Sequence, residues 1–172
     1  MKLALLVVKE NAPGQRRALR LAAVAKVRRA LRESGFKIQE ISRAKLRGPA
    51  GGSLVVAAGG DGTLLAAAQH LKPGQALLGV NTDPSRSVGF LCGAGASTFR
   101  RVLRSWLEGK TRPRRPRRLA LRLKTKESLR SATALNDILV CSRHPAGTSR
   151  YNLSVRKGTM TSRETQRGSG RV

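Results

Sequence analysis

The strongest constraint on the fold is an alternation of short apolar runs with longer amphipathic segments in the first 110 residues. The runs at 3–8, 54–58 and 76–80 are continuous and apolar, as expected for parallel strands covered on both faces. Segments 15–33 and 97–108 instead space their apolar side chains as helices packed on a sheet do. Strands that alternate with helices predict an α/β fold with a mostly parallel sheet.

Two further elements complete this first part, a strand at 36–41 and a short helix at 63–71. In the first helix we expect the arginines, Arg20 among them, to lie mostly outside the inward face. That face is predicted from residues that recur at i+4 steps, namely Leu19, Ala23, Val27 and Leu31.

The character of the sequence changes near residue 110, where a basic run with prolines begins. We interpret residues 111–118 as a linker between an α/β domain at 1–110 and a second domain at 119–172. From residue 119, apolar residues alternate with others at a period of two, and no helical segment intervenes. We therefore expect antiparallel strands there, including candidates at 134–141 and 151–155.

Composition limits the classes of partner. A net charge of +26, from 35 Lys and Arg against 9 Asp and Glu, predicts anionic partners: phosphorylated small molecules, nucleic acid or an acidic surface. Only 3% of residues are aromatic, which argues against base stacking and leaves sequence-independent nucleic-acid binding as a weaker alternative. No apolar run approaches the roughly 20 residues that cross a bilayer, so we expect no membrane span.

The first residues and the cysteines bear on location. The apolar run at 3–8 is too short for a signal peptide and has no small-residue cleavage site after it. Cys92 and Cys141 cannot form a disulfide framework, and no Cys/His spacing suggests a zinc site. We therefore expect a cytoplasmic protein in which both cysteines pack as small apolar residues.

The sharpest local feature is the sequence Gly59-Gly60-Asp61-Gly62-Thr63, which joins a predicted strand to a predicted helix. Ligands of open parallel sheets bind at this end of the strands, where glycines and a helix N-terminus favour phosphate. Asp61 would repel a phosphate unless it holds Mg²⁺ or orients and deprotonates a hydroxyl nucleophile. The alternative is a structural turn in which Asp61 caps the helix.

The loop resembles the GGDGT signature shared by NAD kinases and by diacylglycerol and sphingosine kinases. Two further segments resemble NAD kinases in particular. Residues 81–92 look like the segment after the next strand in one branch of that family, and 134–140 are similar to the family's "ALNE" strand, with Asp in place of the commoner Glu. These segments argue against a lipid kinase, which stays the alternative enzyme class.

The resemblance implies transfer of the terminal phosphoryl group of ATP, or of polyphosphate in some members, to the 2′-hydroxyl of the adenosine ribose of NAD. It implies Mg²⁺ or another divalent cation as cofactor. It assigns Asp61 as the catalytic proton acceptor or hydroxyl-orienting residue. The residues it assigns to the phosphate side are Gly59, Gly60, Gly62 and Thr63, and those it assigns to NAD are Asn136, Asp137, Phe90 and Arg167.

Other donor-binding candidates follow from charge alone, and for each an exposed surface residue is the competing interpretation. They are Arg143, Arg150, Arg167 and His144. His70 is expected on the surface of the short helix.

The resemblance also implies that the α/β domain is followed by part of an antiparallel all-β sandwich. In the family a "TPTGSTAY"-like segment comes next, and the final residues of this sequence look like those just before it. We therefore expect a shortened member that is weakly active or inactive alone. An incomplete sandwich leaves strand edges exposed, so a homo-oligomer is expected.

Overall fold

The computed structural model of the protein describes residues 2–9, 16–139, 141, 149–157 and 160–168. The chain divides into two compact units, the first ending at Asn136 and the second starting at Asp137. The sequence-based boundaries near residues 110 and 118 stay a prediction.

Most of the regular structure belongs to the first unit. In chain order its elements are β1 (Lys2–Val8), α1 (Arg16–Glu33), β2 (Phe36–Ser42), a 3₁₀ turn (Arg43–Lys45), β3 (Leu54–Gly59), α2 (Asp61–Ala68), β4 (Ala76–Asn81), β5 (Ala94–Gly95), α3 (Phe99–Leu107), β6 (Leu119–Lys124) and β7 (Leu129–Ala134). The second unit contains an antiparallel hairpin of β8 (Ser149–Lys157) and β9 (Met160–Gly168).

Strands β1 to β5 form one parallel sheet in the order β2-β1-β3-β4-β5, which confirms the α/β fold. An antiparallel β6–β7 hairpin follows it. The strand order reverses at β1, because β2 lies on one side of it and β3 on the other. In doubly wound sheets, ligands bind at such a switch point, outside the carboxyl ends of the strands.

The sheet is covered on both faces, as its apolar strands require. Successive strand residues point to opposite faces, so Val56 packs with α1 and α3 on one side and Val55 packs with α2 on the other. The first cluster includes Val27, Leu31 and Phe99. The second includes Leu64 and Ala67, and both clusters are almost fully removed from water.

The predicted inward face of α1 was wrong at its N-terminal end. Leu19 is 70% exposed, whereas Arg20 is buried. An α-helix turns about 100° per residue, so a stripe of i+4 steps drifts about 40° at each step. Leu19 is three such steps from Leu31 and has rotated out of the core, while Arg20 lies almost directly in line with Val27 and Leu31.

The predicted strand at 134–141 was also wrong, because β7 ends at Ala134 and residues 135–139 have no regular structure. Strand β7 instead pairs with β6 from Leu129 to Ala134. The turn between them is closed by Thr125, whose Oγ1 accepts hydrogen bonds from the N–H groups of Glu127 and Ser128. Pairing is therefore set by the turn rather than by apolar patterning. The predicted strand at 151–155 is confirmed within β8.

No helix in the described part of the chain is long and apolar enough to cross a bilayer.

Candidate active site

A cleft of about 230 Å³ opens at the carboxyl ends of three neighbouring strands. Lys9 follows β1, Gly60 and Asp61 follow β3, and Thr82 and Asp83 follow β4 at its walls. This is the switch-point edge of the sheet. The geometry agrees with the prediction that the glycine loop lies where ligands bind in such a fold.

The glycine loop turns directly into α2. The N–H groups of Thr63 and Leu64 donate to the Gly60 carbonyl at 2.9 and 3.2 Å. Neither of the two glycines before the helix has a positive φ, and what limits substitution there is space, more severely at Gly59 than at Gly60. A Cβ at Gly59 would overlap the Thr63 side chain, and a Cβ at Gly60 would lie 2.8 Å from the Ser87 Oγ.

Asp61, the first residue of α2, is held by the loop that follows β4. Its Oδ2 accepts a hydrogen bond from the Phe90 N–H at 2.9 Å, and its Oδ1 accepts one from the Leu91 N–H at 2.8 Å. The carboxylate therefore spans to residues 90–91 instead of capping its own helix. Each oxygen keeps a second lone pair for a further donor, so Asp61 is an oriented acceptor beside the cleft.

Cys92 lies against the same carboxylate, with its Sγ 3.8 Å from Asp61 Oδ1. Burial raises the pKa of the Cys92 thiol to about 11, and the negative charge and hydrogen bond of Asp61 add to the effect. The thiol is therefore protonated at neutral pH. A protonated, half-buried thiol fits the expected packing role and does not suit a nucleophile.

Asn81, at the end of β4, folds the segment that brings residues 90–91 to Asp61. Its Nδ2 donates to the Ser87 carbonyl at 2.7 Å, and its Oδ1 accepts from the Asp83 N–H at 3.0 Å. Gly89 has a φ of +64°, and a Cβ there would lie 2.5 Å from Asn81 Nδ2. The resemblance at 81–92 thus corresponds to a compact loop that supports the acidic residue.

The walls of the cleft carry more positive than negative charge. The cationic side chains are Lys9, Arg20, Arg43 and Arg86, and the carboxylates are Asp61 and Asp83. Arg20 Nε lies 3.7 Å from Asp83 Oδ2. Such a surplus of cations next to a helix N-terminus favours an anionic ligand.

Sequence reasoning missed all four of these cations. A signal for Arg20 was present, since its spacing of seven from Val27 and eleven from Leu31 places it on the core face of α1. A helix that follows a parallel strand begins at the carboxyl edge of the sheet, so a core-facing cation early in α1 points to that edge. Lys9 comes directly after a predicted strand and was available from position alone.

Two of the predicted NAD-binding residues, Phe90 and Asn136, belong to the first unit, and neither lines the cleft. The side chain of Phe90 is 86% exposed, and only its backbone N–H contacts Asp61. Asn136 is exposed at the end of the first unit, and Asp137 is exposed at the start of the second. Arg167 is in β9, where only the backbone is described.

The remaining candidates from the sequence are two arginines and two histidines. Arg150 lies in β8, again with only its backbone described, and Arg143 and His144 lie outside the described residues. His70 follows α2 in a turn, with its Nδ1 2.7 Å from the Gly48 carbonyl. His70 therefore joins two loops. Within the described residues, no three His, Cys, Asp or Glu side chains cluster as a protein-held metal ion would need.

Comparison with known protein families finds a match that contains the whole cleft. The model of the ATP-NAD kinase N-terminal domain matches residues 7–111, a range that includes every residue lining the cleft. The chain belongs to the ATP-NAD kinase family. This membership confirms the resemblance drawn from the glycine loop and residues 81–92.

Individual relatives agree with this assignment. A probable NADH kinase of Oryza sativa subsp. japonica is 38% identical over 122 residues, covering 62% of this chain and 37% of that protein. An NADH kinase of Arabidopsis thaliana is 35% identical over 94 residues, covering 46% of this chain and 30% of that protein. A human protein named NAD kinase 2, mitochondrial, is 60% identical over 42 residues, covering 22% of this chain and 9% of that protein. This chain spans well under half the length of each relative.

Proposed function

We propose that this chain carries the phosphoryl-donor side of an NAD(H) kinase. The reaction is transfer of the terminal phosphoryl group of ATP or polyphosphate to the 2′-hydroxyl of the adenosine ribose of NAD or NADH. The observation that supports it best is the Asp61 carboxylate, fixed by two backbone N–H groups at the edge of a cation-lined cleft. Kinase-family membership and the names of the relatives support the same reaction class.

Each part of the site has a task in this reaction. The phosphates of the donor lie against the N-terminus of α2, where the helix dipole and the cations of the cleft offset their charge. The ribose oxygen attacks the terminal phosphorus, and the bond from that phosphorus to the leaving phosphate oxygen breaks. Asp61 accepts the proton that leaves the ribose hydroxyl. Because phosphoryl transfer depends mainly on positioning and charge neutralisation, a fixed acceptor in a positive cleft suits it.

The divalent cation belongs to the donor in this account. Both oxygens of Asp61 already accept backbone hydrogen bonds, and Asp83 faces Arg20, so the described carboxylates do not form a resident cation site. Mg²⁺ or a similar divalent ion would arrive as part of the substrate, bound to ATP or polyphosphate, and would supply positive charge that offsets the charge of the phosphates.

The acceptor side rests on the sequence motifs. We retain Asn136, Asp137, Phe90 and Arg167 as NAD-binding residues and Gly59, Gly60, Gly62 and Thr63 as donor-binding residues. A homo-oligomeric assembly and a cytoplasmic location do not follow from these motifs and are proposed from the other sequence features given above. The name of the human relative places that protein in mitochondria. Cell fractionation of this protein would test the proposed cytoplasmic location directly.

Cycling detection of NADP(H) tests the reaction. The chain is incubated with NAD or NADH and with MgATP or polyphosphate, and the Asp61→Asn variant is the matched comparison. We expect slow NADP(H) formation that is lost in the variant. Equal rates for the two proteins would contradict the role of Asp61. Formation of phosphatidate from diacylglycerol in parallel reactions would favour the lipid-kinase alternative.

A further inference from the structure

Arg20 is the one buried ionisable residue in the described part of the chain, with 8% of its surface exposed. It lies in the second turn of α1, on the side that faces the sheet. Removing a guanidinium from water is unfavourable unless its N–H groups are paired. The position therefore calls for partners.

The partners inside the protein do not satisfy it. Arg20 Nε is 3.7 Å from Asp83 Oδ2, which is longer than a hydrogen bond, and the buried Nη1 has no hydrogen-bond partner. Asp83 is itself engaged by other groups, since its Oδ1 accepts from Ser85 Oγ at 2.7 Å. The guanidinium thus retains a buried donor nitrogen, Nη1, without a hydrogen-bond acceptor.

A second unsatisfied group lines the same cleft. Thr63 is 1% exposed, and its Oγ1 has no hydrogen-bond partner. Arg20 Nη1 and Thr63 Oγ1 are the two buried side-chain polar atoms without partners in the described residues, and both belong to residues that line the cleft beside Gly60 and Asp61. Both atoms are closed to water in this structure, so a ligand that offered anionic oxygens would satisfy them after a local movement of the two side chains. Helix α2 directs its N-terminus to the same place.

We propose that Arg20 is a donor-binding residue, whose Nη1 hydrogen-bonds a phosphate oxygen of the phosphoryl donor, with Thr63 Oγ1 contacting the same phosphate group. The proposal rests on the proposed function for the identity of the ligand as ATP or polyphosphate. Asp83 is the positioning residue, because its carboxylate holds the guanidinium in the cleft before the donor binds. Arginine suits this task, since its planar fork matches phosphate oxygens in two directions.

The test is calorimetric titration of the 172-residue chain with Mg-tripolyphosphate and MgATP at 0.15 M ionic strength, where long-range attraction to the +26 charge is screened. Arg20→Met removes the donors and keeps an apolar stem, and Arg20→Lys keeps the charge without the fork. Arg29→Met is the matched control, because Arg29 is on the same helix, is 73% exposed and loses the same charge.

We expect Arg20→Met to raise the dissociation constants of Mg-tripolyphosphate and MgATP by about tenfold or more, which is the loss typical of one charge-assisted hydrogen bond. Arg20→Lys should lie between it and the parent, and Arg29→Met should match the parent. The unfolding temperature, measured with and without tripolyphosphate, separates donor binding from a purely structural role. A structural role would lower the unfolding temperature of the variant and leave its increase with tripolyphosphate intact. Without ligand, Arg20→Met should unfold at nearly the parent temperature, because removal of an under-bonded buried charge offsets the lost pairing with Asp83, while the stabilisation by tripolyphosphate is lost.

Two results would overturn the proposal. One is equal tripolyphosphate affinity in the parent and in both Arg20 variants, which would leave the kinase proposal intact if NADP(H) formation persists. The other is an Arg20→Met protein that unfolds at a lower temperature yet gains the full stabilisation from tripolyphosphate, which would make Arg20 structural. If the Met variant does not fold, the Lys variant decides through its affinity. Loss of NADP(H) formation with intact tripolyphosphate binding would count against the reaction and not against Arg20.

Discussion

Replacing Gly89 by Ala should disrupt the loop at residues 81–92 that holds Asp61. The structure gives the expected loss in the free energy of unfolding. Gly89 has a φ of +64°, which costs a residue with a Cβ roughly 1–2 kcal/mol. The added Cβ would also lie 2.5 Å from Asn81 Nδ2. Asn81 must then move, and its hydrogen bonds to Ser87 and Asp83 are each worth about 1 kcal/mol. The free energy of unfolding should therefore fall by about 3–4 kcal/mol.

Gly74→Ala is the matched control, because Gly74 has a φ of +82° and nothing within 4 Å of its Cβ position. It should lose only the backbone part, which leaves a difference of about 2 kcal/mol between the two variants. Trp106 is the single tryptophan and packs against the α1–α3 side of the core, so its fluorescence follows unfolding of the first unit. With a urea m-value of about 2 kcal/mol/M, the midpoints should differ by about 1 M. Equal midpoints for the two variants would refute the reasoning from Asn81.

In a Cys141→Ser background, Cys92 should react slowly with iodoacetamide near pH 8 and faster towards pH 11, because its pKa is raised to about 11. Asp61→Asn should speed the reaction by removing a neighbouring charge, and an unchanged rate would count against that contact. The folded protein keeps the Cys92 proton above the ordinary thiol pKa of 9.0, so the free energy of unfolding should fall between about pH 9 and about pH 11. Cys92→Ala should abolish this fall in the free energy of unfolding. Thr63→Val should raise the free energy of unfolding by about 1 kcal/mol, because it removes a buried hydroxyl without a partner, and should weaken tripolyphosphate binding; lower stability with unchanged binding would contradict both expectations.

The parallel sheet was predictable because its strands are buried on both faces. A continuous apolar run such as that of β3 has no solvent-facing side, and this requires helices above and below. The inward face of α1 was predictable from Ala23 onward, but not in the first turns of the helix. Near Arg20 the i+4 rule drifts off the true period of the helix, and a charged residue in the core contradicts simple patterning.

The glycine loop and Asp61 were predictable from local sequence, since glycines and a carboxylate between a strand and a helix indicate a phosphate site. The partners of Asp61 were not. Phe90 and Leu91 contact it through backbone N–H groups, which every residue carries and which no residue pattern marks. Strand β7 escaped prediction for a related reason, because its pairing depends on the turn at Thr125 and its side chains are largely exposed.

The central claim is that the cleft at the carboxyl edge of the sheet binds the phosphoryl donor. Titration of the ¹⁵N-labelled chain with MgATP at 0.15 M ionic strength, followed by amide NMR, tests it residue by residue. The largest shifts should fall on the amides of the glycine loop and on the side-chain Nε–H of Arg20. The loop residues concerned are Gly60, Asp61, Gly62 and Thr63. Shifts spread over the arginine-rich segment 112–118, with the glycine loop unchanged, would contradict it and indicate charge-driven binding at the surface.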